Sequence, residues 1–231
     1  MVIHFVKLMI GESSSSHLFR ATLSFMATYL EQSLTKLKHF EGSVPWMYRD
    51  TVGKVTVGVG LMLPNVEAAL ALPFTLSGRA ATAAEIRADF ARVTAMVEGK
   101  TAAYYRIPES PQLGEETIDT KLLNVLRQFE TRLQTALHGY DQFPDAVKLA
   151  LLDMAYNLGP AALLSGYPHL IAAVEQGNWV RAAAECTRQG PSAERNTWTR
   201  GQFLAAVVTT IKAEAESWWA RLVRRLRDLW R

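Results

Sequence analysis

The chain has 231 residues, 49% of them apolar and 20% charged, with a net charge of +3 and an isoelectric point near 9.0. That length and composition suffice for one sizeable core or two small lobes, and they exclude a repeat array or an apolar stretch long enough to span a bilayer. A mild basic balance suits an anionic polymer, but zinc-ligand spacing, a glycine-rich phosphate loop and an aromatic RNA-binding motif are all missing, so no nucleic acid partner is expected.

Met1 to Ile10 is apolar but carries His4 and Lys7 and lacks a basic leader region and a cleavage site, so it does not read as a signal peptide. Ser13 to Ser16 reads as a short linker. From His17 an apolar face recurs at helical steps through Leu23, Met26, Leu30, Leu34, Leu37 and Phe40, and predicts a helix that ends at Glu41-Gly42. The next stretch, from Trp46 to Met62, is β-branched and punctuated by glycine, with a hairpin turn at Asp50-Thr51-Val52-Gly53. Thr82 and Glu85 form a capping box that opens a helix to about Glu98. A loop rich in proline and glycine, GKTAAYYRIPESPQLG, separates it from a long amphipathic helix over Thr117 to His138.

Pro144 opens the following helix and Gly159 closes it, with Val147, Leu151, Met154 and Leu158 as its core face. Cys186, the only cysteine, precludes an internal disulfide and reads as a small buried apolar residue. His169 reads as a satisfied structural histidine. The final stretch, SWWARLVRRLRDLWR, sets Trp218, Trp219, Leu222, Val223 and Leu226 against Arg221, Arg224, Arg225 and Arg227. Two readings fit it: a terminal helix packed on the core, or a basic amphipathic helix for an anionic membrane surface.

The chemistry concentrates between His39 and Leu63. A carboxyl at a helix end and a carboxylate on an adjacent hairpin place two acids with different surroundings in one cleft, as glycosidic bond hydrolysis requires. The run also sets Glu41, Gly42, Tyr48, Asp50, Gly53, Thr56, Gly58 and Gly60 at fixed spacing, and in this pattern it resembles phage-type lysozymes of glycoside hydrolase family 24. Leu149 to Arg188 and Glu194 to Leu204 resemble the family's central helix and the helix closing the cleft. Leu61 departs from the polar residue or histidine that several members carry. Residues 64–111 form an insertion longer than that connection usually is.

The resemblance implies an α+β, predominantly helical, lysozyme-like fold, with a small β-hairpin lobe and a larger helical lobe joined by a long helix. It implies a muramidase cleaving the β-1,4 bond of peptidoglycan with inversion. Glu41 is then the general acid, Asp50 the water-activating base and Thr56 the residue that positions the water. Met62, Tyr156 and Asn157 are expected near the substrate, and Arg195 beside Glu41. No metal or organic cofactor is implied. The organisation expected is an N-terminal extension and entry-helix start over 1–34, a catalytic domain over 35–212 and a C-terminal helix over 213–231. The chain is expected to be made in the cytoplasm and to act in the periplasm or cell wall after delivery, as a phage endolysin or as an injected effector with an immunity protein. A wall-binding module, a membrane-permeabilising protein and a chitin-cleaving relative are the competing readings.

Overall fold

The computed structural model describes residues 28–229. The chain folds as a mixed α+β protein, mostly helical, with a small sheet lobe and a larger helical lobe. Helix α1 (Tyr29–Glu41) starts at a capping box in which Thr28 accepts from the backbone of Glu31 and the Glu31 carboxylate accepts from that of Thr28. The expected helical face at Leu23 and Met26 lies outside the described residues. The turn after α1 is closed by Gly42, whose φ of 78° suits glycine.

Strands β1 (Val44–Arg49), β2 (Val55–Gly58) and β3 (Leu61–Met62) form an antiparallel meander. The Asp50–Gly53 turn joins the first two, and the register between them shifts between Val44 and Tyr48, which bends β1. The insertion does more than add a helix. It supplies α2 (Val66–Leu70), the hairpin β4 (Phe74–Leu76) and β5 (Arg79–Ala80), and α3 (Ala83–Ala95). With β6 (Gln112–Leu113) these strands extend the lobe to six, in the order β3-β2-β1-β6-β4-β5. Strands of two or three residues are too short for an alternating pattern, which is why the insertion reads only as a helix and a loop.

Helix α4 (Glu115–Ala136) links the lobes, its 22 residues spanning ~33 Å. At its first turns Lys38 of α1 lies between Glu115 and Asp119, 2.6 Å from Asp119, and Ile118 packs against Gly58 of β2. Near its far end Glu130 accepts from the Tyr29 hydroxyl. Helix α5 (Asp145–Leu158) is the central helix. Every residue from Val147 to Ala155 is buried, so its core extends all round the helix rather than along one face. Against it pack α1, α4, α6 (Pro160–Gly166) and α9 (Ala193–Leu229), while α7 (Pro168–Glu175) and α8 (Trp179–Glu185) pack on each other and α8 on α9. Cys186 is fully buried, and burial pushes its thiol up. His169 is exposed on the short α7 and is not a structural histidine of the core.

Helix α9 also corrects the C-terminal expectations. It runs unbroken across position 212, so the basic segment is the continuation of the cleft-closing helix and not a separate element. Trp218, Trp219, Val223 and Leu226 are exposed, which removes the reading that packs them on the core.

Candidate active site

Glu41 is the last residue of α1, and the three residues that end this helix all meet the opening of α9. His39 Nε2 lies 3.0 Å from Glu194 Oε1, and Phe40 meets Trp198 edge to face at 5.7 Å. Glu41 Oε1 accepts from Arg195 Nη1 at 2.5 Å, while the Arg195 guanidinium also lies over the Phe40 ring. Ser192 fixes this opening turn, because its hydroxyl accepts from the Arg195 backbone at 3.1 Å in N-cap fashion. Residues more than 150 positions apart are thereby brought together at the mouth of the cleft.

Behind Arg195 lies a buried network absent from the sequence reading. Asp153 of α5 accepts from Arg195 Nε at 2.7 Å through one carboxylate oxygen and from Arg188 Nη2 at 2.7 Å through the other. Thr199, fully buried, lies 2.8 Å from the same Asp153 oxygen and accepts from Arg188 Nη2 at 2.7 Å. Asn196 brackets the Arg188 backbone on both sides. Burial lowers the proton affinity of Arg195, but Asp153 and Glu41 more than offset it and raise it overall. The chain Arg188–Asp153–Arg195–Glu41 alternates in charge and delivers one guanidinium nitrogen to the cleft. A lone aspartate inside an otherwise apolar helical run was the available sequence signal, since a buried carboxylate needs a partner.

Across from Glu41, Asp50 sits in the β1–β2 turn. One oxygen, Oδ1, accepts from the backbone N–H groups of Val52 at 3.0 Å and Lys54 at 2.8 Å. This fixes the carboxylate in the turn and leaves Oδ2 turned toward Thr56, whose hydroxyl is 3.4 Å away. Thr56 pairs with Tyr48 across the two strands and is 2% exposed. The turn itself is braced by the insertion: Arg49 donates to Gly53 O at 3.1 Å and to Met96 O at 2.5 Å, and pairs with Glu98 at 3.0 Å.

The tyrosines report the electrostatics of the cleft. Burial, then the charges of Asp50 and Glu41, push the Tyr48 hydroxyl up. Burial, then Glu41, push Tyr156 up as well. The Tyr156 hydroxyl donates to Val59 O, pinning the β2–β3 turn against α5. Tyr156 and Met62 line one apolar cavity with Leu61, Ile118, Val125 and Phe129 at the lobe junction. Asn157 follows Tyr156 on α5 with its side chain exposed, and it does not line that cavity. No cluster of three metal-ligating side chains occurs among the described residues.

Two unequal lobes, a long helix joining them and acidic side chains at their junction are the architecture of lysozyme-like hydrolases. Residues 38–201 match the family model described as phage lysozyme. That stretch is more than half of the chain, which therefore belongs to the phage lysozyme family and is a glycosidase of lysozyme type. Among solved structures, a mutant P22 lysozyme is 18% identical, with 78% of this chain and 99% of that one covered at a TM-score of 0.48. The endolysin from Escherichia coli O157:H7 phage FAHEc1 is also 18% identical, with coverages of 74% and 88% and a TM-score of 0.44. Comparison with individual curated proteins returns no match.

Proposed function

We propose that the chain is a muramidase that hydrolyses the β-1,4 bond between N-acetylmuramic acid and N-acetylglucosamine in peptidoglycan, with inversion. The observation that carries this reading is the Asp50–Thr56 pair. A carboxylate oxygen left free by its backbone donors, with a buried hydroxyl 3.4 Å away, forms a two-point holder for a water molecule. Asp50 takes the proton of that water as it attacks the anomeric carbon, and Thr56 orients it. Glu41 donates a proton to the departing glycosidic oxygen from the opposite side of the sugar.

Glu41 has the position such an acid needs. It ends α1 at the junction of the lobes, and the Arg195 guanidinium that donates to its Oε1 is a partner for the carboxylate left after proton transfer. Met62 and the Tyr156 ring offer an apolar wall for a sugar face, because the tyrosine hydroxyl is already engaged by Val59. Asn157 offers an exposed amide at the rim of the same helix. The site of action is the periplasm or cell wall, reached as an endolysin after membrane permeabilisation or by injection into a competitor. A cell producing an injected form then needs an immunity protein.

The test is digestion of purified peptidoglycan with mass analysis of the fragments, alongside chitin oligosaccharides. Fragments with N-acetylmuramic acid at their reducing ends are expected, with the α anomer seen first by NMR. Glu41→Gln is expected to lose at least ~10²-fold in rate with an unchanged fold. Near-normal clearance by a folded Glu41→Gln variant, or cleavage of chitin alone, overturns the assignment.

A further inference from the structure

Helix α9 outruns the body it belongs to. Its first half is packed: Phe203 and Ala206 are fully buried, and Trp179 Nε1 donates to Thr210 Oγ1 at 3.2 Å. The family match ends at residue 201, yet the helix continues to Leu229. Over that continuation every side chain from Trp218 to Arg227 is exposed except the half-buried Leu222. At about 100° per residue, Trp218, Trp219, Leu222, Val223 and Leu226 share one sector ~140° wide. Arg221, Arg224, Arg225 and Arg227 fill the opposite sector. Val208 and Ile211, also exposed, carry the apolar stripe back toward the body.

We propose that this face docks, parallel to the surface, on an anionic phospholipid bilayer. Charge selects the occupant. Between Ser217 and Arg231 five arginines stand against one aspartate, leaving a net +4. A second copy of the chain would set one such cluster against another. Residues 1–27 carry Lys7 and Arg20 against Glu12, and so bring no compensating negative charge. Anionic headgroups supply it, while the adjacent tryptophans, with rings 5.3 Å apart, are suited to the boundary between headgroup and acyl chain. No single helix among the described residues is long and apolar enough to cross a bilayer, so the helix lies in the interface rather than through it. Because the same helix carries Arg195 in its first turn, docking would hold the cleft a fixed ~35 Å along the helix axis from the tryptophan pair. This inference stands on the helix itself and not on the assignment of the catalytic residues.

The test is co-sedimentation of the full chain with vesicles of phosphatidylglycerol and phosphatidylethanolamine, compared with phosphatidylcholine alone. Binding is expected only to the anionic vesicles, with a blue shift of tryptophan fluorescence. In the full-length variant with Arg221, Arg224, Arg225 and Arg227 all replaced by Gln, the partition coefficient should fall by about 10² to 10³, from roughly fivefold per arginine near an anionic surface. Truncation after Glu216 should abolish binding, leaving the melting temperature and hydrolysis of purified peptidoglycan unchanged. Equal vesicle binding by the truncated or arginine-free protein overturns the proposal, as does a large loss of thermal stability on truncation. A dimer lost on truncation, without vesicle binding, assigns the face to a second copy. Binding that emerges only when residues 1–27 are deleted assigns it to the chain's own N-terminal segment.

Discussion

Replacing Asp153 by asparagine keeps the side chain's shape and removes one charge from a network that is nearly sealed from water. The side chains of Arg188, Asp153 and Arg195 are 0%, 3% and 6% exposed. With Glu41 they form two cations and two anions; without the Asp153 charge, Arg188 has no anionic partner. Arg188 Nε and Arg195 Nη2 are already buried without hydrogen-bond partners, so no spare acceptor stands ready. Leaving a buried charge uncompensated costs about 3–5 kcal/mol. For a protein of this size each kcal/mol moves the midpoint by roughly 2–4 °C, so a fall of about 6–20 °C is expected in a thermal melt. Adding Arg188→Leu to Asp153→Asn restores neutrality and should recover most of the loss. Turbidity clearance of a cell-wall suspension, run well below both midpoints, separates stability from chemistry: it should stay depressed in the double variant, because Arg195 has lost the Asp153 charge that holds it toward Glu41. A midpoint for Asp153→Asn within ~2 °C of the parent, or no recovery on adding Arg188→Leu, would refute the charge argument.

Asp50→Asn and Thr56→Ala should each lower turnover by at least ~10-fold with little effect on binding of wall fragments, since the roles proposed for both are on the attacking water and so chiefly in the transition state; weaker binding with normal turnover contradicts those roles. Gly58→Ala should cost about 1–2 kcal/mol in urea denaturation, because φ is +65° there and an added Cβ would stand 3.2 Å from Ile118 of α4. Cys186, fully buried and with its thiol pushed up by burial, should resist iodoacetamide in the native protein at neutral pH and react only on unfolding; rapid native labelling contradicts that burial.

Periodicity made the long elements legible and failed on the short ones. Helices α3, α4 and α5 follow from their apolar spacing and caps, with ends within a few residues of those expected, and α1 ends at Glu41 as expected but opens at the Thr28 cap and not at His17. The insertion was legible as extra chain but not as sheet, since β4 and β5, and the β6 just after it with which β4 pairs, have three, two and two residues. Their pairing is decided by tertiary contacts: the Trp46 indole donates to Ala102 O at 2.8 Å, Arg106 lies over its ring at 4.6 Å, and Trp46 itself pairs with Gln112. His169 and the C-terminal helix failed for a related reason. Amphipathicity says that a face wants cover, and does not say whether the fold supplies it.

The two halves of the site were legible to different degrees because they are built at different ranges. Asp50, Thr56 and the turn that orients them lie within seven residues of one another, and local hydrogen bonds suffice to arrange them. Glu41 is local in sequence to that hairpin, but its electrostatic setting is not. It is set by α9, through an arginine whose own position depends on an aspartate of α5. The insertion plays the matching part on the other side, where Arg49 ties the Asp50 turn to the end of α3 through Met96 O and Glu98. Glu41, held by a buried charge network in the helical lobe, and Asp50, held by a braced hairpin in the sheet lobe, can therefore be tuned separately. Their relative placement is left to α4, which joins the lobes and touches both, through Lys38 beside Glu41's helix end and through Ile118 beneath β2.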